Sequence, residues 1–220
     1  SNWMHRNLIL AGNFNMTNVK ELFENLVELG QHPKEMADTV TVMEKIGHFL
    51  DDENQDLFDQ YKKEGHDNVA ITHKISDNLD IANILRRSAK TWDGGYSICG
   101  MVGNGDSFIM RDPAGIRPAY YYYDDEIVVA ASERPALQTA FNIQFKDVKE
   151  IDPGHALIIK KNGEVSMEQF REPTERLSCS FERIYFSKGS DVEIYRERKQ
   201  LGRLLSDKIL QAVNYDLKNT

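Results

Sequence analysis

Two periods alternate along this chain. After the turn-forming run Gly12-Asn13-Phe14-Asn15-Met16-Thr17-Asn18, the apolar residues Leu22, Phe23, Leu26, Val27 and Leu29 recur at helical spacing. They predict a helix capped by Thr17 or Asn18 and stopped at Gly30. A second helix is predicted from Asp38, carrying Val42, Met43, Ile46, Phe49 and Leu50 inward, with an acidic amphipathic segment over 51–65 behind it. Ser76 predicts the cap of a third helix with Leu79, Ile81, Ile84 and Leu85 apolar. The period then shortens to that of strands. Residues 96–101 and 107–111 flank the turn Gly103-Asn104-Gly105-Asp106, and 119–123 and 126–131 flank Asp124-Asp125. Their nearly unbroken apolar runs predict a central four-stranded meander covered on both faces.

Downstream, Arg134-Pro135 predicts a short helix to Ala140. A hairpin of 145–151 with 155–160 is expected around Asp152-Pro153-Gly154, then a turn into 165–169. A polar linker falls at 171–178, followed by a strand at 183–187. A long helix over 192–217 has Ile194, Leu201, Leu205, Ile209 and Val213 on one side, with no partner in the chain. Helices ahead of an antiparallel meander make the class α+β. Residues 1–172 are read as one domain and 173–220 as a linker with the first strand and helix of another. Ser1-Asn2 reads as a cloning remnant, and a start in mid-strand is expected of an internal piece of a longer chain.

The 220 residues include 40% hydrophobic and 28% charged positions, the balance of a water-soluble globular protein. A net charge of -8 disfavours a nucleic-acid surface. No apolar run suits a membrane span, and two cysteines, Cys99 and Cys179, make no disulfide framework or zinc pattern. A cytoplasmic setting is the expectation. The six histidines show no metal-ligand spacing, and Cys99, in an apolar strand, is expected to be a buried small hydrophobe.

One motif is specific. Arg111-Asp112-Pro113-Ala114-Gly115-Ile116-Arg117-Pro118 resembles, without a gap, the RDPxGIRP loop of the amidophosphoribosyltransferase family. Ala11–Asn18 is similar to its AHNGNLTN turn, and Asp38-Thr39 to its Ser-Asp-Ser-Glu segment. Ala131-Ser132-Glu133, Asp152-Pro153-Gly154, Cys179-Ser180-Phe181-Glu182 and the stretch from Tyr195 to Gly202 match further positions in order. The resemblance implies an N-terminal-nucleophile hydrolase fold of four αββα layers, incomplete here at its start. In that family an N-terminal cysteine thiol attacks the side-chain amide of glutamine, with its own α-amine as general base. The ammonia released then displaces pyrophosphate from phosphoribosyl pyrophosphate in a second domain.

Residue by residue, the resemblance implies that the Asn13 side-chain amide and the Phe14 backbone N–H stabilise the oxyanion. Phe14 departs from the family's glycine: it keeps the N–H but would be strained at positive φ. Asp38 is implied to bind the α-ammonium of glutamine, while its position before Thr39 also suits a helix N-cap. Arg111, Asp112, Gly115 and Arg117 are read as structural, with an Arg–Asp pair holding the loop. No cofactor is expected in this chain: Mg2+ is implied only with the phosphoribosyltransferase domain, and no iron–sulfur cluster is expected. The implied partners are L-glutamine, phosphoribosyl pyrophosphate through the other domain, and further copies in a homo-oligomer, with no nucleic acid or membrane. Lacking the family's cysteine at residue 1, the chain alone is expected to be inactive. Three other readings stay open: an asparagine-synthetase-like glutaminase, a non-catalytic binding or assembly module that kept the fold, and Ser1 itself as nucleophile.

Overall fold

The structure, a computed structural model, describes residues 3–218. Its described residues form two compact units, one within Ser1–Ala119 and Glu150–Leu177, the other within Tyr120–Lys149 and Ser178–Thr220.

The first unit is built on a five-stranded antiparallel sheet. Its strands are β1 (Leu8–Met16), β2 (Gly94–Val102), β3 (Ser107–Arg111), β7 (His155–Ile159) and β8 (Val165–Gln169), paired in the order β1-β2-β3-β7-β8. Helices α1 (Val19–Glu28), α2 (Asp38–Lys63), α3 (Asn68–Asn78) and α4 (Ile81–Ser88) fill the chain between β1 and β2. Side chains alternate across a strand, so Leu10, Phe14, Met16, Tyr96, Ile98, Phe108, Met110, Ala156 and Ile158 share one face. That face meets Leu22 of α1, Val42, Ile46 and Leu50 of α2, and Ile84 and Leu85 of α4 in one core. A satellite cluster of Tyr61, Ile71 and Ile75 joins α2 to α3.

Several expectations change. The segments at 38–50 and 51–65 merge into one continuous helix, α2, which ends at Lys63. Ser76 lies inside α3, a helix the apolar pattern did not resolve; Asp67 and Asp80 supply the caps of α3 and α4 by accepting from Ala70 N and Asn83 N. The four predicted strands do not form one sheet. Beyond β3 the chain leaves for β4 (Tyr120–Tyr123) and β5 (Val128–Ala131), which join β6 (Lys149–Glu150) in a separate three-stranded sheet, β5-β4-β6. The 145–151/155–160 hairpin is likewise absent, because β7 pairs with β3 and β8. Nor is the five-stranded sheet covered on both faces: Ile9 is 72% and Met101 54% exposed on the face away from the helices. Cys99, on that same open face, is exposed rather than buried.

In the second unit, α5 (Arg134–Phe141) packs Leu137 with Ile143 and Val148 against Tyr120, Tyr122, Val129 and Ala131. Arg134 lies between the rings of Tyr120 and Phe145, 4.8 and 4.4 Å from their centroids, and pairs with Glu193 at 3.0 Å. The strand expected at 183–187 is a wide helical turn, Glu182–Phe186. After it comes α6 (Val192–Ala212), capped by Asp191, whose Leu204, Leu205 and Ile209 are more than half exposed. Among the described residues, no helix is long and apolar enough to cross a membrane.

One buried base makes stability depend on pH. Burial holds the His5 imidazole below its ordinary value of 6.5, and the neighbouring Arg6 charge acts in the same direction. The ring is neutral in the fold, so unfolding in acid takes up a proton. This contribution to stability is present above pH 6.5 and is lost as the pH falls below it. His5→Phe is expected to flatten the pH dependence of the urea midpoint between about pH 7 and 5. Equal slopes in the two proteins would refute the assignment.

Candidate functional site

The candidate site is a matter of which way the β1 backbone faces. Tyr96 points both its backbone groups toward the β3 side: its C=O accepts from Asp112 N at 2.8 Å and its N–H donates to Asp112 Oδ2 at 3.3 Å. Backbone direction alternates along a strand, so the odd-numbered residues of β2 face β1. Bonds from Gly103 N to Asn7 O and from Thr17 N to Asp93 O, both 2.9 Å, agree with this. Asn13↔Ser97 and Asn15↔Gly95 are therefore the hydrogen-bonded pairs, while Phe14↔Tyr96 and Met16↔Gly94 are the open ones.

It follows that the N–H groups of Phe14 and Met16 point away from β2. Because β1 ends the sheet order, they lie on its edge. Asp38 Oδ2 accepts the Met16 N–H at 2.9 Å, which places the carboxylate on that same edge. The two N–H groups are two residues apart, about 6.8 Å along an extended strand. Three of the residues singled out in the sequence are thus brought to one edge: the Phe14 N–H, the Asp38 carboxylate and Asn13, whose side chain rises from the open face beside them.

Asp38 reaches this position by not capping its helix. The N-cap of α2 is Ala37, and Asp38 opens the first turn, where a carboxylate also suits the helix dipole. Phe14 raises no backbone conflict. It sits in extended β1 and is absent from the positive-φ residues, and its ring packs on the core side. The N–H is presented from extended backbone, so the strain that a positive φ would bring does not arise. Asn18, at the N-cap of α1, makes no side-chain cap; its amide instead donates to Thr91 O at 2.9 Å and accepts from Asp93 N at 3.2 Å. Thr17 Oγ donates to Asp93 Oδ2. These bonds fasten the end of β1 to the start of β2.

The Arg111–Pro118 loop is held by backbone bonding from each side chain, more than by the expected Arg–Asp pair. Arg111, 2% exposed, donates to Arg117 O, Gly115 O and Ile151 O and pairs with Glu150 at 2.9 Å. Asp112, fully buried, accepts from the backbone N–H groups of Tyr96, Ala114, Ile116 and Arg117. Gly115 has φ +62, which a side chain would strain. The sequence reading missed Gly95, Ser97 and Ile116, which face the open side beside Asn13 and Asn15; only the strand register reveals them. Ser1 lies outside the described residues.

No family model matches the chain. Curated relatives do. The amidophosphoribosyltransferase of Pasteurella multocida is 26% identical over 211 residues, 92% of this chain and 38% of its own length. That of Escherichia coli is 27% identical over 212 residues, again 92% of this chain and 38% of its own length. Among solved structures, the glutamine phosphoribosylpyrophosphate amidotransferase of Bacillus subtilis aligns with a TM-score of 0.65 at 25% identity, covering 91% of this chain and 38% of that one. The chain therefore spans well under half the length of the proteins it matches. In sequence it is a relative of the amidophosphoribosyltransferases, and in structure it shares the N-terminal-nucleophile hydrolase fold of their solved members.

Proposed function

We propose that this chain is the glutamine-handling part of a glutamine-dependent amidotransferase, whose ammonia aminates phosphoribosyl pyrophosphate at the opening of purine synthesis. The observation that supports it is the shared edge of β1, with the Asp38 carboxylate at Met16 and the outward N–H of Phe14 two residues along. In glutamine the α-ammonium and the amide carbon are four bonds apart, a separation suited to that edge. Asp38 takes the ammonium through a charge-assisted bond. The amide oxygen lies by the Phe14 N–H and the Asn13 amide.

A thiolate adding to the amide carbon moves the carbonyl electron pair onto oxygen. The two donors hold that charge without transferring a proton. Collapse of the intermediate takes up a proton on nitrogen and expels ammonia, leaving a thioester for water to hydrolyse. The chain's two cysteines are not placed to begin this: Cys99 and Cys179 are internal and have no free α-amine. The nucleophile implied by the resemblance is an N-terminal cysteine outside these residues, and the 220-residue polypeptide on its own is proposed to bind glutamine without hydrolysing it. Phe14 is extended with its N–H directed outward, which supports its part as an oxyanion donor.

The test is ammonia release by a full-length protein containing this chain. Asn13→Ala is expected to lower kcat by about 10²–10³-fold with a smaller change in KM, as for removal of one oxyanion donor. Asparagine, one methylene shorter, is expected to be a poor substrate. Unchanged kcat in Asn13→Ala, or equal turnover of both amino acids, would sink the reading.

A further inference from the structure

The open sheet face beside the candidate site is not bare. Gly95 lies opposite Asn15, two residues from Ser97, which lies opposite Asn13. A methyl group on Gly95 would come within 2.8 Å of Ile116 Cγ2 and 3.0 Å of Ile116 Cβ. The Arg111–Pro118 loop therefore lays the Ile116 side chain on the face from which Asn13 and Asn15 rise. Diagonal neighbours in a sheet lie about 7–8 Å apart, so Ile116 flanks the space beside Asn13. Its side chain is only half-buried and retains surface to offer.

The placement is rigidly enforced. Asp112 Oδ1 accepts the Ile116 N–H at 2.9 Å and Asp112 Oδ2 the Arg117 N–H at 2.9 Å. Arg111 donates to the carbonyls on either side, Gly115 O at 3.1 Å and Arg117 O at 2.7 Å. Two buried charged side chains thus grip the backbone around one apolar residue. That expense exceeds what closing a turn requires, and its product is a fixed apolar surface beside a polar edge. Glutamine offers a matching element: two methylenes between an ammonium and an amide.

We propose that Ile116 is the apolar wall of the glutamine site, packing against the β- and γ-methylenes of the substrate, and that Asp112 is its positioning residue. This rests on the function proposed above. It assigns the loop a part in substrate selection: the wall rewards the buried methylene stem and excludes water from the amide, while Asp38 and Asn13 recognise the two ends. Gly95 is then required because any side chain there would push Ile116 off the face.

The experiment is a titration of the 220-residue chain, methyl-labelled at isoleucine, with L-glutamine, observed by NMR. Ile116→Val removes one isoleucine signal and so assigns the Ile116 methyl. That methyl is expected to shift on adding L-glutamine, and the shift to vanish in Asp38→Asn. Ile116→Ala is expected to weaken glutamine binding about tenfold and Ile116→Val by less, as befits lost apolar contact. If glutamine binds and Asp38→Asn weakens that binding strongly, yet the Ile116 methyl stays still or Ile116→Ala binds as the parent does, this inference is overturned and the functional reading stands. If the parent chain does not bind glutamine, the functional reading falls and this one with it.

Discussion

Asp38→Asn is expected to weaken glutamine binding about a hundredfold while the protein stays folded. The reasoning separates the two things the carboxylate does. Its Oδ2 accepts the Met16 N–H at 2.9 Å, and an asparagine oxygen can accept that bond equally well. Only the negative charge is lost, and in the proposed reading that charge is what holds the α-ammonium of glutamine. Asp38→Ala removes the acceptor as well, leaving the N–H of nearly buried Met16 without its partner, and is expected to cost a further ~1–2 kcal/mol of stability. Calorimetric titration with glutamine, alongside urea unfolding of both variants, checks the pair. If Asp38→Asn binds glutamine as tightly as the parent, the carboxylate serves only the strand edge. Because Ala37 rather than Asp38 is the N-cap, no loss of helix capping confuses the result.

The largest stability effect is expected at Asp112. Asp112→Ala would strip the acceptor from four backbone N–H groups, those of Tyr96, Ala114, Ile116 and Arg117, in a site with no exposure to water. Removing a buried charged acceptor of this kind costs about 3–5 kcal/mol, a large share of the roughly 5–15 kcal/mol that holds a domain together. Asp112→Asn keeps one acceptor oxygen and is expected to lose about half as much. Denaturant midpoints measure both. A loss below about 1 kcal/mol in Asp112→Ala would mean that the loop holds itself without the carboxylate.

Much of this protein was legible in its sequence. The helical spacing of Leu22, Leu26, Val42, Ile46 and Leu50 marked the side chains that are buried, because a core-facing stripe must recur with the helix turn whatever it packs against. The strands around Gly103–Asp106 were marked by short apolar runs and by turn residues, both local properties. The Arg111–Pro118 run carried the resemblance, and Asn13, Phe14 and Asp38 were the site candidates it implied.

Where local signals allowed two roles, only the structure chose between them. Asp38 before an apolar run also suits a cap, but Ala37 takes that place and the carboxylate meets a strand edge 22 residues away in sequence. Cys99 sits among apolar residues yet lies on the uncovered face, since alternation says which residues share a face and not which face is buried. Strand partners are long-range choices too, so the meander divided between two sheets. The chain's own order of residues thus determined the elements, the core stripes and the resemblance. Only the tertiary structure decided that Phe14 and Met16 turn their N–H groups outward, that Asp38 meets them, and that Ile116 lies over Gly95. Those facts depend on the register between β1 and β2 and on the path of a loop, which pairings of distant backbone set and no local pattern encodes.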